Sequence, residues 1–153
     1  MKKLTPRQLI ESKINKKFYL VFWKIKNRCN DKKNKEFKYY GKRGIKCEWK
    51  SFEEFKKDMY KSFLLHNKRY GGRNTSIDRI DNNGNYCKEN CRWATYKEQS
   101  RNKRSNVYIV FDGKRMIIND WAIFLNIKHD TLYARIKKGG DLKNIFFTPV
   151  KIK

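Results

Sequence analysis

The chain has 153 residues, 39% hydrophobic and 15% aromatic, which is enough for one modest core or two small ones and excludes an extensive multidomain architecture. Lys and Arg number 39 against 15 Asp and Glu, and a formal charge of +24 repels itself unless an anion neutralises it, so a polyphosphate partner is the simplest expectation. No run approaches the roughly 18 consecutive apolar residues of a bilayer span, which argues against a membrane, and Trp23, Trp49, Trp93 and Trp121 are spread too widely for a disordered basic tail.

Met1 to Lys17 is interrupted by charge and holds no apolar signal core, so an intracellular protein is expected, with Cys29, Cys47, Cys87 and Cys91 as reduced thiols or metal ligands. Thr5-Pro6 reads as a helix start, and Leu9, Ile10 and Ile14 mark its stripe. A second helix is expected to follow, because Phe18, Leu20, Val21, Phe22, Ile25 and Cys29 recur at helical spacing until Asn30-Asp31 breaks the pattern. Tyr39 to Cys47 carries two glycines among aromatic and basic residues and reads as a tight basic turn between short extended pieces. Ser51 and Glu54 have capping-box spacing for a helix with Phe52, Phe55 and Met59 on one face, expected to end near Lys61 before a loop through Asn74.

Between 75 and 104 the pattern is strand, loop, strand, helix. Ser76 to Ile80 alternates, Asp81 to Asn85 is turn-forming, Asn90 to Ala94 is extended, and Thr95 is expected to cap a helix running through Gln99 to Lys103. A change of texture follows. Val107 to Phe111, Asp112-Gly113 and Met116 to Ile118 read as a β-hairpin, then Asn119 or Asp120 begins a helix carrying Trp121 and Leu125. Asp130 is expected to cap another helix carrying Leu132 and Ile136, which stops at Gly139-Gly140. Helix, short turn and helix is the spacing of a helix-turn-helix, with the hairpin as a wing.

The segments Tyr39-Tyr40-Gly41-Lys42-Arg43-Gly44-Ile45, Ile77-Asp78-Arg79-Ile80-Asp81, Glu89-Asn90-Cys91-Arg92-Trp93-Ala94-Thr95 and Lys97-Glu98-Gln99-Ser100-Arg101-Asn102 together resemble the HNH (His-Me finger, ββα-metal) endonucleases of phages and mobile introns. In that family an Asp-His pair ends the first strand, an Asn closes the loop, and an Asn on the helix completes a divalent-metal site. Asp78 matches the metal-binding Asp and Asn90 the loop-closing Asn. Arg79 stands where the family has its general-base His, and Gln99 where it has the helix Asn. An arginine stays protonated near neutral pH and cannot accept a proton from water. The resemblance therefore implies an altered catalytic set of Asp78, Arg79, Asn90 and Gln99, with Arg79 clamping phosphate while Asp78, Asp81, Gln99 or Asn102 offer oxygens to Mg²⁺ or Mn²⁺. His66, expected on the preceding loop, is an alternative base.

Around this unit Lys42, Arg43, Lys46, Arg92, Arg101 and Arg104 are candidate contacts to DNA phosphates, and Lys128, His129, Thr131, Tyr133 and Arg135 are candidate major-groove readers, with Lys137 and Lys138 on phosphate. Cys29, Cys47, Cys87 and Cys91 form a loose candidate set for zinc, weighed against four small core residues. The expected fold is α+β: an N-terminal helical segment (1–36), a small ββα-metal-like core (37–104), and a C-terminal hairpin plus helix-turn-helix unit (105–153). The expected partner is duplex DNA. RNA is the lesser alternative, since charge alone reads phosphate, and a homodimer on DNA is compatible with the C-terminal unit. The leading functional expectation is a metal-dependent endonuclease of phage or mobile-element type in a bacterial cytoplasm or nucleoid. Its alternative is a sequence-specific DNA-binding protein, a repressor or competitor, on a scaffold that has lost cleavage.

Overall fold

The computed structural model describes residues 5–149, without the side chain of Arg7. The chain is mixed α+β and divides into two compact units, one ending at Asn102 and one beginning at Lys103. No described helix is long and apolar enough to cross a membrane.

In the first unit, α1 spans Pro6–Asn30 as one helix and not two. Thr5 accepts from Gln8 N and Gln8 reaches back to Thr5 N, a capping box, and no Gly or Pro interrupts the helix between its two apolar stretches. Its two halves differ in burial. Leu9 and Ile10 stay exposed, whereas Phe18, Phe22, Ile25 and Cys29 are buried at helical spacing. The basic segment after α1 forms two 3-10 turns, Phe37–Tyr39 and Gly41–Arg43, in place of the expected extended pieces. Gly41 passes so close to α1 that a Cβ there would run into Cys29 O, which is why a glycine occupies the position.

Helix α2, Phe52–Tyr70, runs well past the expected end near Lys61. Phe55, Met59 and Phe63 continue one buried stripe, and no breaker occurs until Gly71, whose φ of +77° suits glycine. His66 therefore lies on this helix and not in a loop. Strands β1 (Ser76–Arg79) and β2 (Cys91–Ala94) pair antiparallel, and α3 (Tyr96–Arg101) follows under a full Thr95–Glu98 capping box. An isolated parallel bridge from Cys47 to Tyr86 ties the segment before α2 to the loop between the strands.

The core of this unit is aromatic. Phe18 stacks on Phe55 at 4.7 Å, Phe63 meets Trp93 at 4.8 Å, and the Trp93 indole donates to Met59 O at 3.0 Å. Each fully buried aromatic of this kind contributes about 2–3 kcal/mol, so α1 belongs to the same cooperative core as the strands. The boundary expected at residue 36 does not separate two packed bodies.

In the second unit, β3 (Tyr108–Phe111) and β4 (Lys114–Ile117) form a hairpin across Asp112 and Gly113, both at positive φ as a tight primed turn requires. Helices α4 (Ile118–Phe124), α5 (His129–Lys138) and α6 (Leu142–Phe147) follow. The caps differ from expectation. Helix α4 begins at Ile118 with Ile117 at its cap, and α5 is preceded by Lys128, while Asp130 lies in its first turn against the favourable end of the helix dipole. Helix α6 has no counterpart in the periodicity argument. Asp141 caps it, and its Ile145 and Phe146 join Ile109, Trp121 and Leu132 in a second core.

Candidate nucleic-acid interface

The register of the first hairpin decides most of the candidate site. Ile77 faces Trp93, Asp78 faces Arg92, and Arg79 faces Cys91 across the strands. Side chains alternate along a strand, so Ile77, Arg79, Cys91 and Trp93 share the core face while Asp78 and Arg92 share the other.

Arg79 is accordingly 6% exposed. Its guanidinium lies 5.1 Å from the Tyr40 ring and 4.9 Å from the Tyr86 ring, and Nη1 donates to Gly84 O at 2.8 Å. Burial of a charge is tolerable only with such partners. The expected phosphate clamp is thereby corrected: this guanidinium is spent on packing the loop against two tyrosines. Arg28 flanks Tyr40 as well, 5.2 Å from its ring, and is paired to Glu36 at 2.8 Å. Tyr40 and Tyr86 are the functional neighbours that pattern reasoning missed. Tyr40 lay within a motif of interest, but nothing local distinguishes a stacking tyrosine from an exposed one.

Asn90 closes the loop between the strands. Its Oδ1 accepts from Asp81 N at 2.8 Å, and its Nδ2 donates to Asp81 O at 3.0 Å and Asn85 O at 2.8 Å. A Cβ at Gly84 would sit 2.7 Å from that Nδ2, so the closure also requires glycine there. Further ties run from Arg43 to Asn83 at 2.7 Å and from Lys46 N to Asn85 at 2.9 Å, which orders the 41–48 segment and the loop together.

The expected metal oxygens do not converge. Asp81 is exposed and uses Oδ1 to accept from Asn83 N at 2.9 Å, an Asx turn. Gln99 turns its amide nitrogen to Ser76 Oγ at 3.3 Å and Ile77 O at 3.2 Å, docking α3 on β1. Asp78 and Asn102 do meet: Asn102 Nδ2 donates to Asp78 Oδ2 at 3.0 Å and also to Arg79 O. Arg92 Nε lies on the same Oδ2 at 3.2 Å. Asp78 Oδ2 thus holds a guanidinium and an amide NH₂ and is arranged as an ion-pair centre. Among the described residues no three His, Cys, Asp or Glu side chains gather in a way that would hold a metal ion.

The cysteines sit in and beside the first core. Burial pushes the Cys91 thiol up to about 12 and the Cys29 thiol up to about 11, and it raises Cys47 and Cys87 as well. They are neutral thiols at ordinary pH, and among the described residues they do not gather into a group that could hold a metal ion. His66 is half-buried, its Nδ1 2.9 Å from Thr75 Oγ1. That hydroxyl donates to Gly71 O at 2.9 Å, so the imidazole must be the donor to Thr75, and burial lowers its pKa. His66 thus braces the end of α2 and lines a groove with Asp58, Lys88 and Arg92.

The basic candidates separate by what holds them. Lys42 and Lys46 are exposed, Arg92 is exposed but anchored, and Arg101 is half-buried, while Arg104 falls in the second unit. In that unit Lys128, His129 and Tyr133 are exposed at the start of α5, with Thr131 half-buried, and Lys137 and Lys138 are exposed at its end. His129 Nδ1 lies 3.0 Å from Asp130 Oδ1, and its ring is nearly parallel to Tyr133. Arg135 is corrected from reader to tie, since it donates to Ile145 O at 3.1 Å and Pro149 O at 3.3 Å and so fastens α6.

Comparison with protein-family models, characterised proteins and solved structures finds no match to this chain. The likeness to HNH endonucleases rests on the quoted residues alone. Of these, Asn90 bonds Asp81 and Asn85 across the loop, and Arg79 packs against Tyr40 and Tyr86.

Proposed function

We propose that this protein binds duplex DNA, and that its nuclease-like strand, loop, strand and helix serve as a binding scaffold without cleaving the backbone. Charge carries the binding: 39 Lys and Arg stand against 15 Asp and Glu in a chain with two packed cores. Polyanion binding releases counterions, and a folded scaffold fixes where the cations stand. In this reading the exposed start of α5, with Lys128, His129 and Tyr133, enters the major groove, while Lys137 and Lys138 meet phosphate. Exposed Lys42, Lys46 and Arg92 of the first unit meet phosphates of the backbone. The burial of Arg79 and the pairing of Asp78 with Arg92 favour binding over hydrolysis, because they supply neither a proton acceptor nor an open carboxylate at the strand end.

The deciding measurement is affinity for labelled duplex across about 50–200 mM salt. A steep fall of log affinity with log salt is expected, and a flat response defeats the reading. Structured RNA competing equally well would move the assignment to RNA. Metal-dependent cleavage is the second reading, favoured by the meeting of Asp78 with Asn102 beside a loop closed by Asn90. Nicking of supercoiled plasmid with Mg²⁺ or Mn²⁺, lost in Asp78→Ala, would establish it over the first.

A further inference from the structure

We propose that Asp78 is a positioning residue, and that it holds Arg92 as a pre-set clamp for a phosphate of the DNA backbone. The inference rests on the DNA-binding reading above and names one contact within it. Asp78 and Arg92 are cross-strand partners on the face of the hairpin turned away from the aromatic core. The pair is lopsided in exposure: the Asp78 side chain is 6% exposed and that of Arg92 48%. One end is therefore fixed in protein while the other stands in solvent.

The buried end is well determined. Two donors fall on the same oxygen, Arg92 Nε at 3.2 Å and Asn102 Nδ2 at 3.0 Å. Asn102 is itself held, since its backbone N–H closes α3 on Glu98 O and Gln99 O and its carbonyl accepts from Asn82. A carboxylate fixed in this way can orient a guanidinium. The bond uses Nε, and Nη1 and Nη2 make no hydrogen bond among the described residues. That fork is the part of arginine that matches two oxygens of a phosphate. Lys88, with a side chain 62% exposed and its Nζ 3.8 Å from Asp58 Oδ1, lines the same groove between α2 and β2 and adds a second cation. A lysine on an open surface must be ordered when it binds, and each such side chain costs about 0.5–1.5 kcal/mol. Arg92 has been ordered in advance by the fold.

The sign of one substitution separates this role from simple charge. Removing a negative charge from a DNA-binding protein ordinarily strengthens its hold on a polyanion. If Asp78 positions Arg92, Asp78→Asn instead weakens it. The experiment is fluorescence anisotropy of the full chain with a short labelled duplex, using Asp78→Asn, Arg92→Gln, Arg92→Lys and the double variant Asp78→Asn/Arg92→Gln. Thermal melts select the variants that stay folded. Arg92→Lys, which keeps the charge at a half-exposed position, preserves the test if Asp78→Asn does not fold.

Arg92→Gln is expected to weaken binding about five- to tenfold and to reduce the salt slope by about one. Asp78→Asn and Arg92→Lys are expected to weaken it about threefold or more, and the double variant no further than Arg92→Gln. Asp78→Asn binding as tightly as the parent or tighter, Arg92→Lys matching the parent, or additive losses in the double variant would each overturn the proposal while leaving DNA binding in place. Failure of the parent chain to bind duplex would overturn both. Mn²⁺ binding by the parent without DNA, abolished in Asp78→Asn, would overturn the positioning role in favour of a cation site.

Discussion

In the first unit, ionised side chains are part of the packed structure: Arg79 lies against the Tyr40 and Tyr86 rings beside the aromatic core, and Asp78 is buried beneath Arg92 and Asn102. In the second, the described core of Ile109, Ile118, Trp121, Ala122, Leu132, Ile145 and Phe146 is wholly apolar, and the charged residues of α5 stand outside it. The contrast teaches that the same residue type means different things in the two units. A basic residue of the first unit has to be asked whether the fold needs it before it is counted toward DNA. In the second, Arg135, tied to the end of α6, calls for that question, as do Arg115 and Lys114, which lie over the Tyr108 and Phe124 rings.

The apolar cores offer the largest test, because there the units should behave alike. Phe18→Ala and Trp121→Ala each remove a fully buried ring and are expected to cost about 3–5 kcal/mol, read from denaturant unfolding followed by circular dichroism. A much smaller loss for Trp121→Ala would mean that the second unit has no cooperative core. Next comes the charged core residue. Arg79→Met is expected to cost about 2–3 kcal/mol through the lost stacking and the unpaired Gly84 carbonyl, against less than about 0.5 kcal/mol for Lys137→Met on exposed α5. Equal costs for the two would erase the contrast between the units.

Binding sharpens the comparison from the other side. Lys137→Ala combined with Lys138→Ala should leave the melting temperature unchanged, reduce affinity for duplex about tenfold and lower the salt slope by about two. An unchanged affinity would remove α5 from the interface. The smallest effect concerns the α3 cap. Bonds from Thr95 N and Oγ1 to Glu98, each 2.7 Å, hold the Glu98 carboxyl below its ordinary value, so its folded pKa is depressed. That contribution is present above the unfolded pKa and is lost as pH falls through the folded one. Thr95→Ala should cost about 1 kcal/mol at neutral pH. The stability gap between the parent and Glu98→Gln should close as the solution is acidified through and below the usual glutamate range, and a gap independent of pH would show that the charge takes no part in the cap.

Local chemistry was legible in residue order. Thr5 and Thr95 announced their helices because a hydroxyl facing free amides acts over three residues, and Asp112-Gly113 announced a hairpin because few residues accept two positive φ angles in succession. Asn90 was named as a loop closer only through the HNH resemblance, although its side-chain bonds to Asp81 and Asn85 all stay within the loop between the strands. The length of α2 and the existence of α6 were less legible. Both depend on whether an apolar stripe finds something to cover it: Phe63 finds Phe18 and Trp93, and Phe146 finds Trp121.

What the sequence alone determined was the charge, the α+β composition, the strand-loop-strand-helix order and the residues competent to form caps and turns. Only the tertiary structure decided which face of the first hairpin is the inside. Alternation puts Asp78 and Arg79 on opposite faces in any pairing, but the helices and tyrosines packed against one face determine which of the two is buried with aromatics and which meets Arg92. That choice turns Arg79 from an expected catalytic substitute into a packing residue, because burial and partners distant in the chain set what an ionised side chain is able to do.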